Sequence, residues 1–160
     1  MQKLLAGTAL ALTALVAAPT AEAQAKPEFG GFVGVGLPLG DFGDVAKTGW
    51  RIGGLVQVKP AALPFSLRGE VGYQGFDFDR SNGDVNVLDV TANGVFPFGD
   101  QKATTSFYGI GGAGIYSFSG GRGTDFGLNG GVGVNFNLGG FKAFSEARLH
   151  HIFSSGSSTQ

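Results

Sequence analysis

A glycine-rich stretch with the spacing of a nucleotide-binding turn is the first candidate for chemistry in this chain. The segment YGIGGAGIY, residues 108–116, contains G-x-G-x-x-G at Gly109, Gly111 and Gly114. A dinucleotide site also needs a helix after the third glycine and an acidic residue about twenty positions further on. Asp125 comes only 11 positions after Gly114, and the intervening sequence is too rich in aromatic residues and glycine for a helix. The segment is therefore predicted to be a strand.

Other residues that could hold a metal ion or a partner are weaker candidates. His150 and His151 are adjacent, and neighbouring strand residues point to opposite faces, so we expect one interior hydrogen-bonded histidine and one interfacial histidine. Asp41 and Asp44 could bind a cation, but turn chemistry explains them equally well. The segment GGRGTD resembles an adhesive Arg-Gly-Asp motif interrupted by Thr124. We predict no catalytic, cofactor-binding or metal-ligating residue, no cofactor, and no enzymatic activity.

The composition indicates an exported protein in a lipid environment. Only 14% of the residues are charged, whereas a soluble domain carries roughly a quarter. The chain contains 30 glycines and no cysteine, so it can have neither a disulfide framework nor a thiolate metal site. A net charge of −1 argues against a nucleic-acid partner. Something other than surface charge must keep such a protein from aggregating, and lipid would do so.

Residues 1–25 have the pattern of a secretory signal peptide. Lys3 precedes an apolar run over residues 4–18, and small residues at 21, 23 and 25 offer two cleavage points. The mature chain would begin at Gln24 or Lys26. The remaining residues, 26–160, number about 135 and fit a single domain.

Alternation of apolar and polar residues predicts an all-β fold with seven strands. In residues 125–138, Phe126, Leu128, Val132 and Val134 share one face, and glycine and asparagine occupy the other. The loops 38–48, 76–85 and 119–124 alternate with shorter turns, which is the asymmetry of outer-membrane barrels. The predicted strands are 28–37, 49–59, 65–75, 86–98, 105–118, 125–138 and 141–152.

The apolar face of each strand is expected to contact lipid. No charged residue lies on that face between the strand ends, where a charge would cost roughly 2–4 kcal/mol at the bilayer midplane. A closed barrel also pairs every backbone group, as lipid requires. Aromatic residues near strand ends suggest interfacial girdles. These interfacial aromatics are Trp50, Phe65, Tyr73, Phe98, Tyr108, Tyr116 and Phe141.

Six charged residues on the polar faces are predicted to form an interior ion-pair cluster. Three arginines balance three carboxylates, and buried charges persist only when they are paired and hydrogen-bonded. The cluster could act as a gate or an ion path, but a static plug in a barrel too narrow to be a channel is favoured. Its members are Arg51, Arg68, Glu70, Asp89, Glu146 and Arg148.

The chain resembles the small eight-stranded outer membrane β-barrel family, the OmpA/OmpX/OmpW-like group. The resemblance rests on GFVGVGLPLGDFGDVAKTGW near the start and FSEARLHHIF near the end. It implies an antiparallel up-and-down transmembrane β-barrel, monomeric and inserted by the outer-membrane assembly machinery. Barrels of this kind have an even number of strands and finish on an aromatic residue, whereas this sequence stops at SSGSSTQ. We therefore expect an eighth strand beyond Gln160.

The expected function is structural. The barrel would display loops 38–48, 76–85, 119–124 and 153–160 at the cell surface, in contact with outer-membrane lipid and lipopolysaccharide, for adhesion or envelope integrity. Two alternatives stay open at this point. A soluble exported barrel could turn the apolar faces inward around an apolar ligand, or the barrel could form a narrow pore for small solutes.

Overall fold

Eight antiparallel strands close into an up-and-down barrel in which each strand pairs with its sequence neighbours. The computed structural model describes residues 5–14, 26–39, 48–76, 85–119 and 123–153. Within these ranges no helix is long and apolar enough to cross a membrane. The strands are β1 (Leu5–Ala14), β2 (Glu28–Leu39), β3 (Gly49–Val58), β4 (Ser66–Phe76), β5 (Val85–Phe98), β6 (Thr105–Phe118), β7 (Thr124–Asn137) and β8 (Lys142–Phe153).

The seven predicted strands are confirmed as β2 to β8, with bounds that differ by at most two residues. Their connections at one end are the segments 59–65, 99–104 and 138–141, and we call this the short-turn end. Gly99 and Gly139 adopt positive φ angles of 71° and 79° in two of these turns, a conformation that side chains other than glycine rarely tolerate. The opposite end, where the longer connections begin, is called the loop end. Residues 40–47, 77–84, 120–122 and 154–160, with Asp41 and Asp44, lie outside the described residues.

The eighth strand differs from the sequence-based expectation. Leu5–Ala14 pairs with β2 on one side and β8 on the other, and so closes the barrel from the N-terminal side. The sequence predicts this strand beyond Gln160. It predicts that Leu5–Ala14 belongs instead to the apolar part of a signal peptide. Two sheet edges in hydrocarbon require a partner for their backbone groups, and an uncharged ten-residue segment can supply it.

The apolar face of the sheet points outward. Phe29 and Val132 each expose 63% of their surface, and large apolar side chains on every strand from β2 to β8 are likewise exposed. Twelve polar or charged residues in the described parts of these strands are buried instead, including all six members of the predicted ion-pair cluster. A soluble carrier of an apolar ligand would have the reverse arrangement. The lateral surface of the barrel is therefore built to contact hydrocarbon.

Exposed aromatic residues lie toward both ends of the barrel. Trp50 and Tyr73 are on the outer surface near the loop end, with ring centroids 5.7 Å apart. Near the short-turn end, Phe98 and Phe141 are exposed, and half-buried Phe65 packs against Phe96 with the rings tilted by 36° and their centroids 4.9 Å apart.

The interfacial prediction is wrong for Tyr108 and Tyr116. Each side chain is 1% exposed and lies inside the barrel. Ile110 lies on the same face of β6 as the two tyrosines and is also buried, whereas Phe107 and Ile115, on the other face, are exposed. At the start of β6, the adjacent rings of Phe107 and Tyr108 thus lie on opposite faces of the sheet. The hydroxyl groups of the two tyrosines hydrogen-bond to interior side chains, which stabilises the inward orientation.

Glycines make room for the large side chains of the interior. A Cβ atom at Gly133 would overlap the ring of Tyr108, which lies directly opposite on β6. A Cβ atom at Gly127 would come within 2.8 Å of the Tyr116 ring. A Cβ atom at Gly131 would overlap the carbonyl oxygen of Ala147 on β8 and would come within 2.9 Å of the Arg148 side chain. The interior is therefore filled by a few large residues, each facing a glycine on a neighbouring strand.

This packing explains the glycine-rich stretch of β6. Gly109 accommodates the Phe98 ring, which would lie 3.1 Å from an added Cβ atom. Gly112 and Gly114 lie where β6 approaches β5 so closely that a Cβ atom would meet its backbone. Gly111 has ample space, with its nearest neighbour 3.8 Å away. The glycines serve strand packing and form no nucleotide-binding turn, since β6 continues unbroken through them.

We predict opposite outcomes for alanine at two adjacent positions of β6. Gly112→Ala places a methyl group against the carbonyl oxygen of Ala92 and should destabilise the barrel by roughly 1–3 kcal/mol. Gly111→Ala meets no such contact and should change stability by less than about 0.5 kcal/mol. Urea unfolding in detergent micelles, followed by heat-modifiable gel mobility, measures both. Greater damage from Gly111→Ala would contradict the packing account.

Candidate functional site

An alternating chain of four charges crosses the lumen between β4 and β8. Arg148 holds Glu70 with two hydrogen bonds, Nη1 to Oε2 at 2.7 Å and Nη2 to Oε1 at 2.5 Å. Arg148 Nε also donates to Glu146, and Glu146 Oε2 accepts from Arg68 Nη1 at 2.9 Å. β4 and β8 lie four positions apart in a ring of eight strands, so they face each other across the barrel. The chain therefore ties opposite walls together.

A second ion pair lies nearer the loop end. Arg51 Nη2 of β3 donates to Asp89 Oδ1 of β5 at 2.6 Å, and Gln74 Nε2 of β4 donates to Asp89 Oδ2 at 2.9 Å. Asp89 is fully buried and Arg51 is 4% exposed. Gly72, between the two ionic side chains on β4, leaves the space that the pair occupies. All six residues of the predicted cluster are thus inside the barrel and paired.

Neutral donors complete the network. The hydroxyl group of Tyr108 donates to Glu146 Oε2 at 2.7 Å. Thr91 Oγ1 lies 3.4 Å from Glu70 Oε2, and Asn93 Nδ2 donates to Thr91 Oγ1 at 3.0 Å. A carboxylate without such partners would carry a large desolvation penalty in this enclosed space. The shared bonds on each carboxylate offset that penalty.

Aromatic and aliphatic side chains fill the space around the guanidinium groups. The Arg51 guanidinium lies 4.7 Å from the centroid of the Phe32 ring. The Arg68 guanidinium lies 5.4 Å from the Tyr108 ring and 5.2 Å from the Phe144 ring. Cation–π contacts of this kind add to the stability of a desolvated charge. Ions and aromatic rings thus occupy much of the described interior, as expected for a barrel of eight strands.

The two adjacent histidines lie on opposite sides of the wall. His150 points inward, and its Nδ1 lies 2.8 Å from the Tyr116 hydroxyl oxygen. His151 is on the outer face, where its ring packs edge-on against the Phe153 ring with the two ring centroids 4.8 Å apart. The prediction of one interior hydrogen-bonded histidine is confirmed. They cannot join one metal site, and within the described ranges no group of three potential ligands is close enough to hold a metal ion.

The interior arrangement also shows how the network could have been recognised more fully. Sequence reasoning found the six charged residues but missed Tyr108, Gln57 and Gln74 as their partners and Tyr116 as the partner of His150. Gln57 Oε1 accepts a hydrogen bond from Arg68 Nε at 2.8 Å. Gln57 and Gln74 lie on the same strand faces as the neighbouring arginines, and this shared face indicates that they point inward. For Tyr108 and Tyr116, the alternation of residues along β6 did not decide between the inner and outer faces of the barrel. Only the glycines close to the two rings indicated that the rings point inward.

A family comparison identifies the barrel type. A family model described as "Outer membrane protein beta-barrel domain" matches residues 8–155, which is nearly the whole chain. The chain belongs to this family. Comparison with curated proteins and with solved structures gives no match. The expected resemblance to small outer membrane β-barrels is thereby confirmed, and the outward apolar surface described above is the lipid-facing surface of an outer-membrane protein.

We predict that the Glu70–Arg148 pair behaves as a coupled unit. Arg148→Met leaves Glu70 buried without its main partner and should destabilise the barrel by about 3–5 kcal/mol. Combining Arg148→Met with Glu70→Gln should cost less than the two single changes together, because no uncompensated charge remains at Glu70. Urea unfolding of the four proteins in lipid vesicles gives the coupling energy.

Lys142→Ala provides the matched control for this double-mutant cycle. Lys142 Nζ pairs with Glu28 Oε1 at 2.7 Å, but both side chains are about half exposed. Its loss should therefore cost no more than about 1 kcal/mol. Strict additivity of the Glu70 and Arg148 changes would show that the cross-lumen pair does not act as described.

Proposed function

We propose that this outer-membrane barrel is a non-catalytic scaffold that presents its longer connections at the cell surface for adhesion or envelope integrity. The observation that carries the proposal is the ion network that joins β4 to β8, because a tie between opposite walls favours a rigid barrel. A rigid wall with variable connections at one end suits recognition by loops. The loops concerned are 38–48, 76–85, 119–124 and 153–160.

The proposed orientation places the short-turn end in the periplasm. Outer-membrane barrels have short periplasmic turns and longer extracellular loops. The proposed surroundings are outer-membrane lipid and lipopolysaccharide, with insertion of a monomer by the outer-membrane assembly machinery. In this arrangement the exposed rings near both barrel ends would lie at the two lipid–water interfaces.

Single-cysteine labelling of intact cells tests the orientation and the surface display. The chain has no cysteine, so each introduced thiol reports one position. Ser81→Cys, in the connection after β4, should react with a membrane-impermeant maleimide on whole cells. Ala62→Cys, in the turn between β3 and β4, should react only after the outer membrane is permeabilised. The opposite pattern would contradict the proposed orientation, and labelling of neither variant in permeabilised cells would contradict display of the loop.

We also propose that residues 1–25 act as a cleaved signal peptide. This role and the closure of the barrel by β1 exclude each other, because removing Leu5–Ala14 would leave the edges of β2 and β8 without this partner. If the leader is cleaved, another segment must pair with those edges in the mature protein.

The intact mass and N-terminal sequence of the protein purified from the outer membrane decide between the two roles. We expect a mature chain that starts at Gln24 or Lys26, because the small residues at 21, 23 and 25 fit a signal-peptidase site. A membrane-inserted chain that retains Met1 to Ala25 would refute cleavage and make β1 a structural strand.

A further inference from the structure

A cavity of about 210 Å³ opens at the short-turn end and reaches inward to the ion network. This space, the mouth cavity, is large enough for several water molecules or a small organic ion. Tyr108, Phe144 and Arg68 form its inner floor, and they are held by contacts to each other and to Glu146. The ion network therefore borders the inner end of the cavity.

The charge of the mouth cavity is strongly asymmetric. Four cationic side chains line it, and Glu28 is the single carboxylate among its described lining residues. Arg68 is balanced by Glu146, and Lys142 is balanced by Glu28. Lys26 and Lys59 line the cavity without an ion pair in the described part of the chain. Two positive charges thus remain in the cavity lining, both on exposed side chains.

Hydrogen-bond donors lie deeper in the same cavity. Ser66 and Ser106 are buried, with 8% and 4% of their surfaces exposed, and both line the cavity. The hydrogen bonds of Arg68 within the described residues use Nε and Nη1, so Nη2 retains capacity as a donor. Asn135 contributes an amide to the lining. Hydroxyl, amide and guanidinium donors beneath two lysines provide the directional bonds that an anion accepts.

We propose that the mouth cavity is a binding site for a small anion that carries a carboxylate or phosphate group. Lys26 and Lys59 supply the uncompensated positive charge, and Ser66, Ser106 and Arg68 supply the hydrogen bonds. Because the ion network lies at the inner end of the cavity, the proposed site holds its ligand and does not conduct it through the barrel. The periplasmic location of the site follows from the proposed orientation, but the binding itself does not depend on that orientation.

Titration of the protein purified from the outer membrane in an uncharged detergent tests the proposal. Inorganic phosphate and succinate serve as probes, and calorimetry measures saturable binding. The combined change Lys26→Gln and Lys59→Gln should weaken binding at least about tenfold, because each charge acts at short range in a partly enclosed site. Ser106→Ala should weaken it about threefold to tenfold, the loss expected for one hydrogen bond.

Lys102→Gln is the matched control. Lys102 is exposed in the neighbouring turn 99–104 but does not line the cavity, so its change should leave the affinity within about twofold. Equal weakening by Lys102→Gln and by the Lys26 and Lys59 changes would indicate diffuse surface attraction and overturn the proposal. Absence of saturable binding of either probe up to about 10 mM would overturn it as well.

A second arm identifies the source of the anionic group. The protein is placed in nanodiscs of phosphatidylcholine or of phosphatidylglycerol, and the phosphate titration is repeated. If lipid headgroups occupy the site, apparent phosphate affinity falls in phosphatidylglycerol discs and Lys26→Gln with Lys59→Gln removes the difference. If the ligand is a free anion, the two discs give the same affinity. In either case the site remains sensitive to the cavity lysines.

Discussion

The Glu70–Arg148 pair is the interaction on which the interior of this protein depends. Its two hydrogen bonds join β4 to β8, which stand on opposite sides of the barrel. Glu146 extends the pair to Arg68, and Tyr108 donates a further hydrogen bond to Glu146. In an enclosed lumen such charges are tolerable only as a fully connected set. The network therefore decides which side chains must surround it.

Space is the second constraint, and glycine meets it. A barrel of eight strands leaves an interior just wide enough for side chains. Tyr108, Tyr116 and Arg148 occupy that interior because Gly133, Gly127 and Gly131 face them without a Cβ atom. The unusual glycine content is thus a property of the packing and not of a nucleotide site. The same packing keeps the Tyr108 hydroxyl within reach of Glu146 and the Tyr116 hydroxyl within reach of His150.

The requirement that lipid-exposed backbone groups be paired governs the closure of the barrel. In the structure, Leu5–Ala14 meets this requirement for the edges of β2 and β8. The same residues form an apolar run of the kind that directs export. An uncharged segment of small and aliphatic residues suits both roles, since each demands little more than hydrophobicity.

The sequence by itself determined the seven strands β2 to β8, their lipid-facing sides and the six charged residues of the interior. Alternation has a period of two, so a single buried or exposed residue fixes the orientation of a whole strand. The alternation pattern could not distinguish an aromatic ring at the membrane interface from one inside the lumen, as Tyr108 and Tyr116 show. Only the tertiary structure decided which arginine meets which carboxylate, which strand closes the ring and where the mouth cavity lies. The cross-lumen ion pairs join residues 78 positions apart, and ring closure pairs residues as distant as Leu5 and Ile152, so only the closed barrel brings them together.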